Sequence, residues 1–314
     1  MKIALCGVWH VHAPGYYKTA CQYGEVIGVF ERNEARRKAF CSQYNLPEFE
    51  TLDALLASDA DSVIVCSASC DHGEDMVKLA RAGKNIFTEK VLALTSAECQ
   101  AIADAVRESG VTFVISLFQK YTAGAVTVRS IVDSGELGKL NFVRVRNCHN
   151  GSTGDWLPDH FYDLRECGGG AMIDLGAHGM YLTDWFLGLP SGYASAFTVA
   201  DTNPRNRDNV EDNAVTVMQY ANGAIALNET GFVSVGSPLI LEVGGEKGYV
   251  RFDDRGVVKN TTATEGKLVE VELCDAQPAP LEQFLSGSIL PGCGMEEACH
   301  LTAMMEGAYA NKIR

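Results

Sequence analysis

The sequence predicts an α/β chain: a doubly wound parallel sheet at the N-terminus, then an α+β domain with an open, mostly antiparallel sheet. Three observations predict it. Between residues 2 and 116, short apolar strand-like runs alternate with helical patterns, the order that builds a parallel sheet covered by helices. After about residue 120, strand-like runs follow one another across turns such as Asn222-Gly223 and Gly244-Gly245, as antiparallel neighbours do. Hydrophobic residues make up 46% of the 314, enough for two cores.

Residues 2–6, Lys-Ile-Ala-Leu-Cys, read as a buried strand ended by Gly7. A helix over 13–23 leads to a second strand at 25–30, followed by Glu31-Arg32. Helical patterns at 34–44 and 52–58 precede a third strand at 62–66. A helix over 71–82 closes at Gly83, a fourth strand takes 85–88, a helix over 95–109 closes at Gly110, and a fifth strand takes 111–116. Such sheets bind ligands at the carboxyl ends of their strands. Gly7, Glu31, Ser67 and Glu89-Lys90 all fall at such ends. Residues 1–120 are therefore expected to form a Rossmann-like dinucleotide-binding domain.

Residues 121–314 are expected to bind substrate and to oligomerise. Helices are predicted over 123–134, 170–187 and 296–311. Strands are predicted at 140–146, 193–200, 214–220, 224–232, 239–243, 248–252 and 268–273. One face of this sheet is expected under helices and the other against a second subunit, giving a homodimer or homotetramer.

The formal net charge is −14, which argues against nucleic acid or an anionic membrane as the main partner. No apolar run approaches the length of a membrane span. The N-terminus runs straight into a strand with no room for a signal peptide, so a cytoplasmic protein is expected. None of the 11 cysteines forms C-x-x-C, so no metal site is expected, and most are read as buried, reduced thiols.

The turn Gly7-Val8-Trp9-His10-Val11-His12-Ala13 keeps one glycine of G-x-G-x-x-G. Alone it is a poor fingerprint and reads better as a plain strand–turn–helix. Glu31 stands where an acidic residue takes the adenosine ribose, which favours NAD; Arg32 beside it could take a 2′-phosphate, which makes NADP the lesser choice. Lys90 at its strand end could donate to a substrate oxygen, or Glu89-Lys90 could be a surface ion pair. In Gly168-Gly-Gly-Ala-Met-Ile-Asp174-Leu-Gly-Ala-His178, Asp174 and His178 are four apart, on one side of a helix. They suit an acid–base pair or a surface pair. His160, Asp163 and Arg165 are candidates for substrate hydroxyls or simply an exposed polar loop.

Together these segments resemble the Gfo/Idh/MocA family, that of glucose–fructose oxidoreductase and inositol dehydrogenase. Ser67-Ala-Ser-Cys-Asp-His72 is similar to the family's T-P-N-x-x-H. Ala82-Gly-Lys-Asn-Ile-Phe-Thr-Glu89-Lys90-Val91 resembles its A-G-K-H-V-x-x-E-K-P, and Asp133-Ser-Gly-Glu-Leu-Gly-Lys139 its second-domain loop. Gly168-Gly-Gly-Ala-Met-Ile-Asp174-Leu-Gly-Ala-His178 is similar to G-G-G-A-L-x-D-x-G-x-H. The resemblance implies NAD(P)-dependent hydride transfer to or from a hydroxyl-bearing carbon of a sugar or cyclitol. It casts Lys90 as the residue on the reacting oxygen, His178 as acid–base and Asp174 as its neighbour. Gly7, Val8, Trp9, His10, Ser67, Ser69, His72 and Glu89 would surround the cofactor, and Lys120 would face substrate. The chain departs from the pattern in its shortened turn with Trp9, in Val91 for proline, and in Lys120 where many relatives carry arginine. Two other readings suit the sequence: a redox-neutral NAD-using lyase or glycosidase, and a non-catalytic nucleotide or sugar sensor.

Overall fold

The computed structural model describes residues 1–200, 203–235 and 239–313. The chain folds into two compact units. The first comprises Met1–Ser116 and Ala279–Thr302, the second Leu117–Pro278 and Ala303–Arg314.

In the first unit, β1 (Lys2–Cys6), β2 (Glu25–Phe30), β3 (Glu48–Phe49), β4 (Ser62–Val65), β5 (Asn85–Thr88) and β6 (Phe113–Ile115) form one sheet. Its order is β3-β2-β1-β4-β5-β6 and every pairing is parallel. The connecting helices are α1 (Ala13–Tyr23), α2 (Glu34–Tyr44), α3 (Leu52–Leu56), α4 (His72–Arg81) and α5 (Ser96–Ser109). Ile3, Leu5, Val63 and Ile64 are wholly buried, as befits a sheet covered on both faces. Thr51 and Thr95 open α3 and α5 by accepting the N–H of Ala54 and Glu98, satisfying donors that a helix start leaves over. The two-residue β3 is absent from the sequence reading, since two residues carry no period. The order reverses between β1 and β4, which opens a crevice at their carboxyl ends.

In the second unit, β7 (Leu140–Cys148), β8 (Gly192–Thr198), β9 (Asn213–Gln219), β10 (Ile225–Gly231), β11 (Ile240–Gly245), β12 (Gly248–Asp253), β13 (Gly256–Thr261) and β14 (Val269–Val271) form a second sheet. The order is β14-β13-β12-β11-β7-β10-β9-β8. β7 and β10 pair in parallel and the other pairs are antiparallel. Its helices are α6 (Ala123–Asp133), α7 (Leu164–Cys167) and α8 (Ala177–Leu187). α8 packs on β7 and β10, and α6 on β12 and β13. Alternation then sorts the side chains: Val143, Val145, Ala226 and Asn228 are buried, while Arg144, Arg146, Leu227 and Glu229 between them stay partly exposed. β13 was not expected, because Lys259 and Asn260 interrupt its apolar run.

The chain closes with α9 (Pro280–Ser286) and α10 (Met295–Ala310). α9 packs against α1 and β6, and its Phe284 ring lies 6.0 Å from that of Phe87. Ile115 N–H donates to the Cys293 carbonyl at 2.9 Å. Among the described residues no helix is long and apolar enough to cross a membrane.

Candidate functional site

The first unit gathers the predicted cofactor residues at the ends of β1, β2, β4 and β5. Gly7 has φ +84°, and a Cβ there would run into the Ser67 backbone, so the turns after β1 and β4 approach as only glycine allows. Trp9 and His10 N–H both donate to the Cys66 carbonyl, at 3.0 and 3.1 Å, and Val8 N–H donates to Glu31 Oε2 at 2.9 Å. These three amides are used inside the protein, unlike those of a glycine-rich phosphate turn. At the start of α1, Ala13 and Tyr16 N–H are likewise used, on the His10 and His12 carbonyls at 3.0 Å each, Pro14 carries no N–H, and Gly15 faces open space.

Glu31 is buried, and its Oε1 accepts Asn33 N–H at 2.9 Å. Arg32 grips both oxygens of Asp75, at 2.9 and 2.7 Å, and lies 3.6 Å from Asp71. Burial favours its neutral form, but Asp75 outweighs that and raises its proton affinity further. Ser67 donates its hydroxyl to the same Asp75 at 2.8 Å, and Ser69 opens the short turn Ser69–Asp71. His72 is buried, with Nδ1 2.9 Å from the Val91 carbonyl and Nε2 3.1 Å from that of Ser67. The ring thereby ties the turns after β4 and β5 together.

Glu89 is 2% exposed. Its Oε1 pairs with His12 Nδ1 at 2.7 Å and accepts the Tyr16 hydroxyl, while Oε2 accepts Lys90 N–H at 3.1 Å. His10 Nδ1 lies 3.8 Å from Oε1. Burial pushes the Glu89 carboxyl up, but His10, His12 and Lys90 outweigh it and hold it well below the usual carboxylate range. One ligand atom each from His10, His12 and Glu89 fall within 4.8 Å of one another, donor types that divalent metals accept. The sequence held no sign of this set, because Glu89 joins the two histidines only through the fold. Lys90 is 6% exposed at the end of β5, and the Lys90–Val91 peptide is cis.

The second unit holds the other predicted residues. The expected single α-helix over 170–187 is a π-turn, Met172–Gly176, running into α8. Asp174 lies in the π-turn and is half-buried. Wider winding changes the angular step, so the four-residue spacing to His178 is not one α-turn. His178 is 5% exposed, and its Nδ1 lies 2.8 Å from the Tyr181 hydroxyl. That hydroxyl also accepts Gln119 N–H at 3.2 Å. The Phe118 ring meets the imidazole edge-on at 5.2 Å. Lys120 is buried with its ammonium over Tyr181 and Trp185, 5.9 and 6.0 Å from the ring centres.

Three residues that hold this segment escaped the sequence reading. Tyr181 stands three after His178, a helical-neighbour spacing that could have flagged it. Buried Glu211 accepts Gly170 and Met172 N–H on Oε1, at 2.9 and 3.1 Å, and the Tyr309 hydroxyl at 2.6 Å. Both contacts are distant in sequence and leave no local trace. Asp163 accepts Glu166 N–H at 2.9 Å and so caps α7. With Asp159, Tyr162, Arg205, Arg207 and Asp208 it lines an open recess. His160 is half-buried and Arg165 exposed.

Residues 1–117 match the model of the oxidoreductase family with an NAD-binding Rossmann fold, and residues 125–251 match that of the GFO/IDH/MocA C-terminal domain. An uncharacterized oxidoreductase of Streptococcus pneumoniae is 28% identical over 238 residues, 73% of this chain and 62% of its own length. The 1,5-anhydro-D-fructose reductase of Ensifer adhaerens is 25% identical over 231 residues, 72% of this chain and 67% of its own. The matched stretch thus takes in about two thirds or less of these relatives. The solved aldose–aldose oxidoreductase of Caulobacter crescentus, complexed with glycerol, superposes with a TM-score of 0.81 at 20% identity, covering 99% of this chain and 97% of that one. That similarity shows a shared fold.

Proposed function

Since the chain belongs to the Gfo/Idh/MocA family of oxidoreductases, we propose that it is an NAD-dependent dehydrogenase acting on a hydroxyl of a sugar or cyclitol. NAD, when bound, supplies the hydride acceptor. The observation that carries the reading is Lys90, buried at the carboxyl end of β5 in a sheet whose order reverses two strands away. A lysine is rarely so buried unless it is paired, and here its charge lies beside the Glu89 carboxylate. Lys90 holds the reacting oxygen and steadies the negative charge that grows on it. His178 exchanges the hydroxyl proton, with its ring fixed by Tyr181 and Phe118. Asp174 contacts the substrate beside it. Glu31 faces the adenosine ribose, and the start of α1, open at Gly15, receives the pyrophosphate.

The open face of the second sheet supports a homodimer or homotetramer. Its partly exposed Leu227 lies among the Arg144, Arg146 and Glu229 ion pairs, a mixed surface suited to a second copy. The cytoplasm is the proposed compartment, in keeping with 11 cysteines that form no disulfide.

The test begins with a screen of sugars and inositols for NADH formation. With a substrate in hand, Lys90→Ala and His178→Ala are each expected to lower kcat by roughly 10²–10⁴-fold. NAD affinity should stay within a few-fold. Near-normal kcat in His178→Ala across the pH range would overturn the assignment of that residue.

A further inference from the structure

The structure brings together two thiols that the proposed reaction does not use. Cys99 lies on α5 and Cys299 on the part of α10 that belongs to the first unit. They are 200 residues apart in sequence, yet the Cys99 thiol donates to Cys299 Sγ across 2.9 Å. Their surroundings differ. Cys99 is buried and Cys299 partly exposed. We propose that Cys99 and Cys299 form a peroxide-reactive pair that closes into an intrachain disulfide.

The two sulfurs have distinct roles. Cys299 is the attacking group, since it meets solvent and its sulfur accepts the Cys99 S–H. That hydrogen bond favours the thiolate and lowers the Cys299 thiol from its ordinary value, outweighing burial, which acts in the opposite sense. Burial pushes the Cys6, Cys41 and Cys66 thiols the other way, which makes them poor nucleophiles. Exposed Cys21 and Cys274 are open to solvent, but neither has a cysteine sulfur in hydrogen-bond contact among the described residues.

The chemistry balances with a hydroperoxide as oxidant. The Cys299 thiolate attacks one peroxide oxygen, the O–O bond breaks, and hydroxide (or alkoxide) leaves, giving a sulfenic acid. Cys99 sulfur then attacks Cys299 sulfur, and the S–O bond breaks with loss of water as the Cys99 proton is taken up. Two thiols have lost two electrons and two protons, and the peroxide has gained both. A dithiol reductant returns the disulfide to two thiols by exchange and is itself oxidised to a disulfide. The pair needs little movement because its sulfurs already touch, whereas a bond between distant thiols requires the backbone to shift.

The test uses the full native chain and hydrogen peroxide. After brief exposure, remaining thiols are alkylated and the protein is digested without reductant. The expected product is one cross-linked peptide pair joining Cys99 to Cys299, a loss of two titratable thiols per chain, and full recovery with dithiothreitol. Cys99→Ser should stop at a sulfenic acid on Cys299, trapped by dimedone. Cys299→Ser should leave Cys99 reduced under the same dose. Circular dichroism of each variant separates lost reactivity from lost folding, and the wild-type peptide map stands even if one variant misfolds. Oxidation of Cys21 or Cys274 with both pair members still alkylated would overturn the proposal. So would a sulfenic acid on Cys299 in the wild type that never proceeds to the disulfide.

Discussion

Glu89 shows how one buried carboxylate organises its surroundings. It takes a hydrogen bond from the Tyr16 hydroxyl and from the amide of the residue that follows it, and it pairs with His12. Its proton affinity is lowered in the folded chain, so its contribution to stability is present above the ordinary carboxylate value of 4.5. That contribution fades as pH falls below 4.5 toward the depressed folded value. Glu89→Gln should therefore cost about 3 kcal/mol at pH 7, the scale of a broken buried pair. The gap between wild type and variant should narrow between pH 4.5 and pH 3 in urea unfolding. A gap that stays constant with pH would mean that the carboxylate charge is not what matters. Cofactor preference is a second consequence at this scale. Arg32 is held in a two-pronged grip by Asp75, and the buried Glu31 side chain accepts Val8 and Asn33 N–H. Arg36 lies 3.4 Å from Glu31 Oε1 and offsets part of its charge, yet NAD should still bind about tenfold more tightly than NADP, whose 2′-phosphate meets the carboxylate. Quenching of tryptophan fluorescence by each cofactor measures the ratio. Tighter NADP binding would point to Arg32 leaving Asp75.

At the scale of elements, Asn228 of β10 fixes the junction of the π-turn and α8. Asn228 Nδ2 donates to the Gly176 carbonyl at 2.7 Å, and a Cβ on Gly179 would run into the Asn228 amide. Gly179→Ala should push α8 off the sheet and destabilise the second unit by about 1–3 kcal/mol, as overpacked cores do. The urea midpoint reads this directly; an unchanged midpoint would mean that Asn228 can turn aside at no cost. This junction also marks where the sequence stops being legible. Five of the six parallel strands of the first unit are plain in the sequence because fully buried strands read as unbroken apolar runs, whereas two-residue β3 is not. Lys90, Asp174 and His178 stand out in the sequence because their segments carry long, ordered motifs. The π-turn does not, since an i→i+5 winding uses the same residues as an α-helix. Asn228, Glu211 and Tyr309 are invisible for another reason: each meets the segment from Gly169 to Gly179 across dozens of residues. His72, read as a cofactor neighbour, has its ring nitrogens on backbone carbonyls, a satisfaction that only coordinates reveal.

At the scale of the whole molecule, the second sheet presents one face to α6 and α8 and leaves the other in solvent. Large sheets of this kind seldom stay bare. The protein should run as a dimer or tetramer in light scattering at micromolar concentration. A clean monomer would leave the half-exposed Leu227 and its neighbouring ion pairs without the partner proposed for them.

The first unit is also discontinuous, which sets a timetable for its birth. When residue 116 leaves the ribosome, the Cys293 carbonyl that Ile115 will donate to has not been made. Phe87 likewise waits for Phe284. At ordinary elongation rates the missing segment follows roughly 10–40 s later. Throughout that interval the nascent chain carries a nearly finished nucleotide-binding sheet with a raw apolar edge. The gene thus asks its host to shelter residues 1–116 until residues 279–302 arrive.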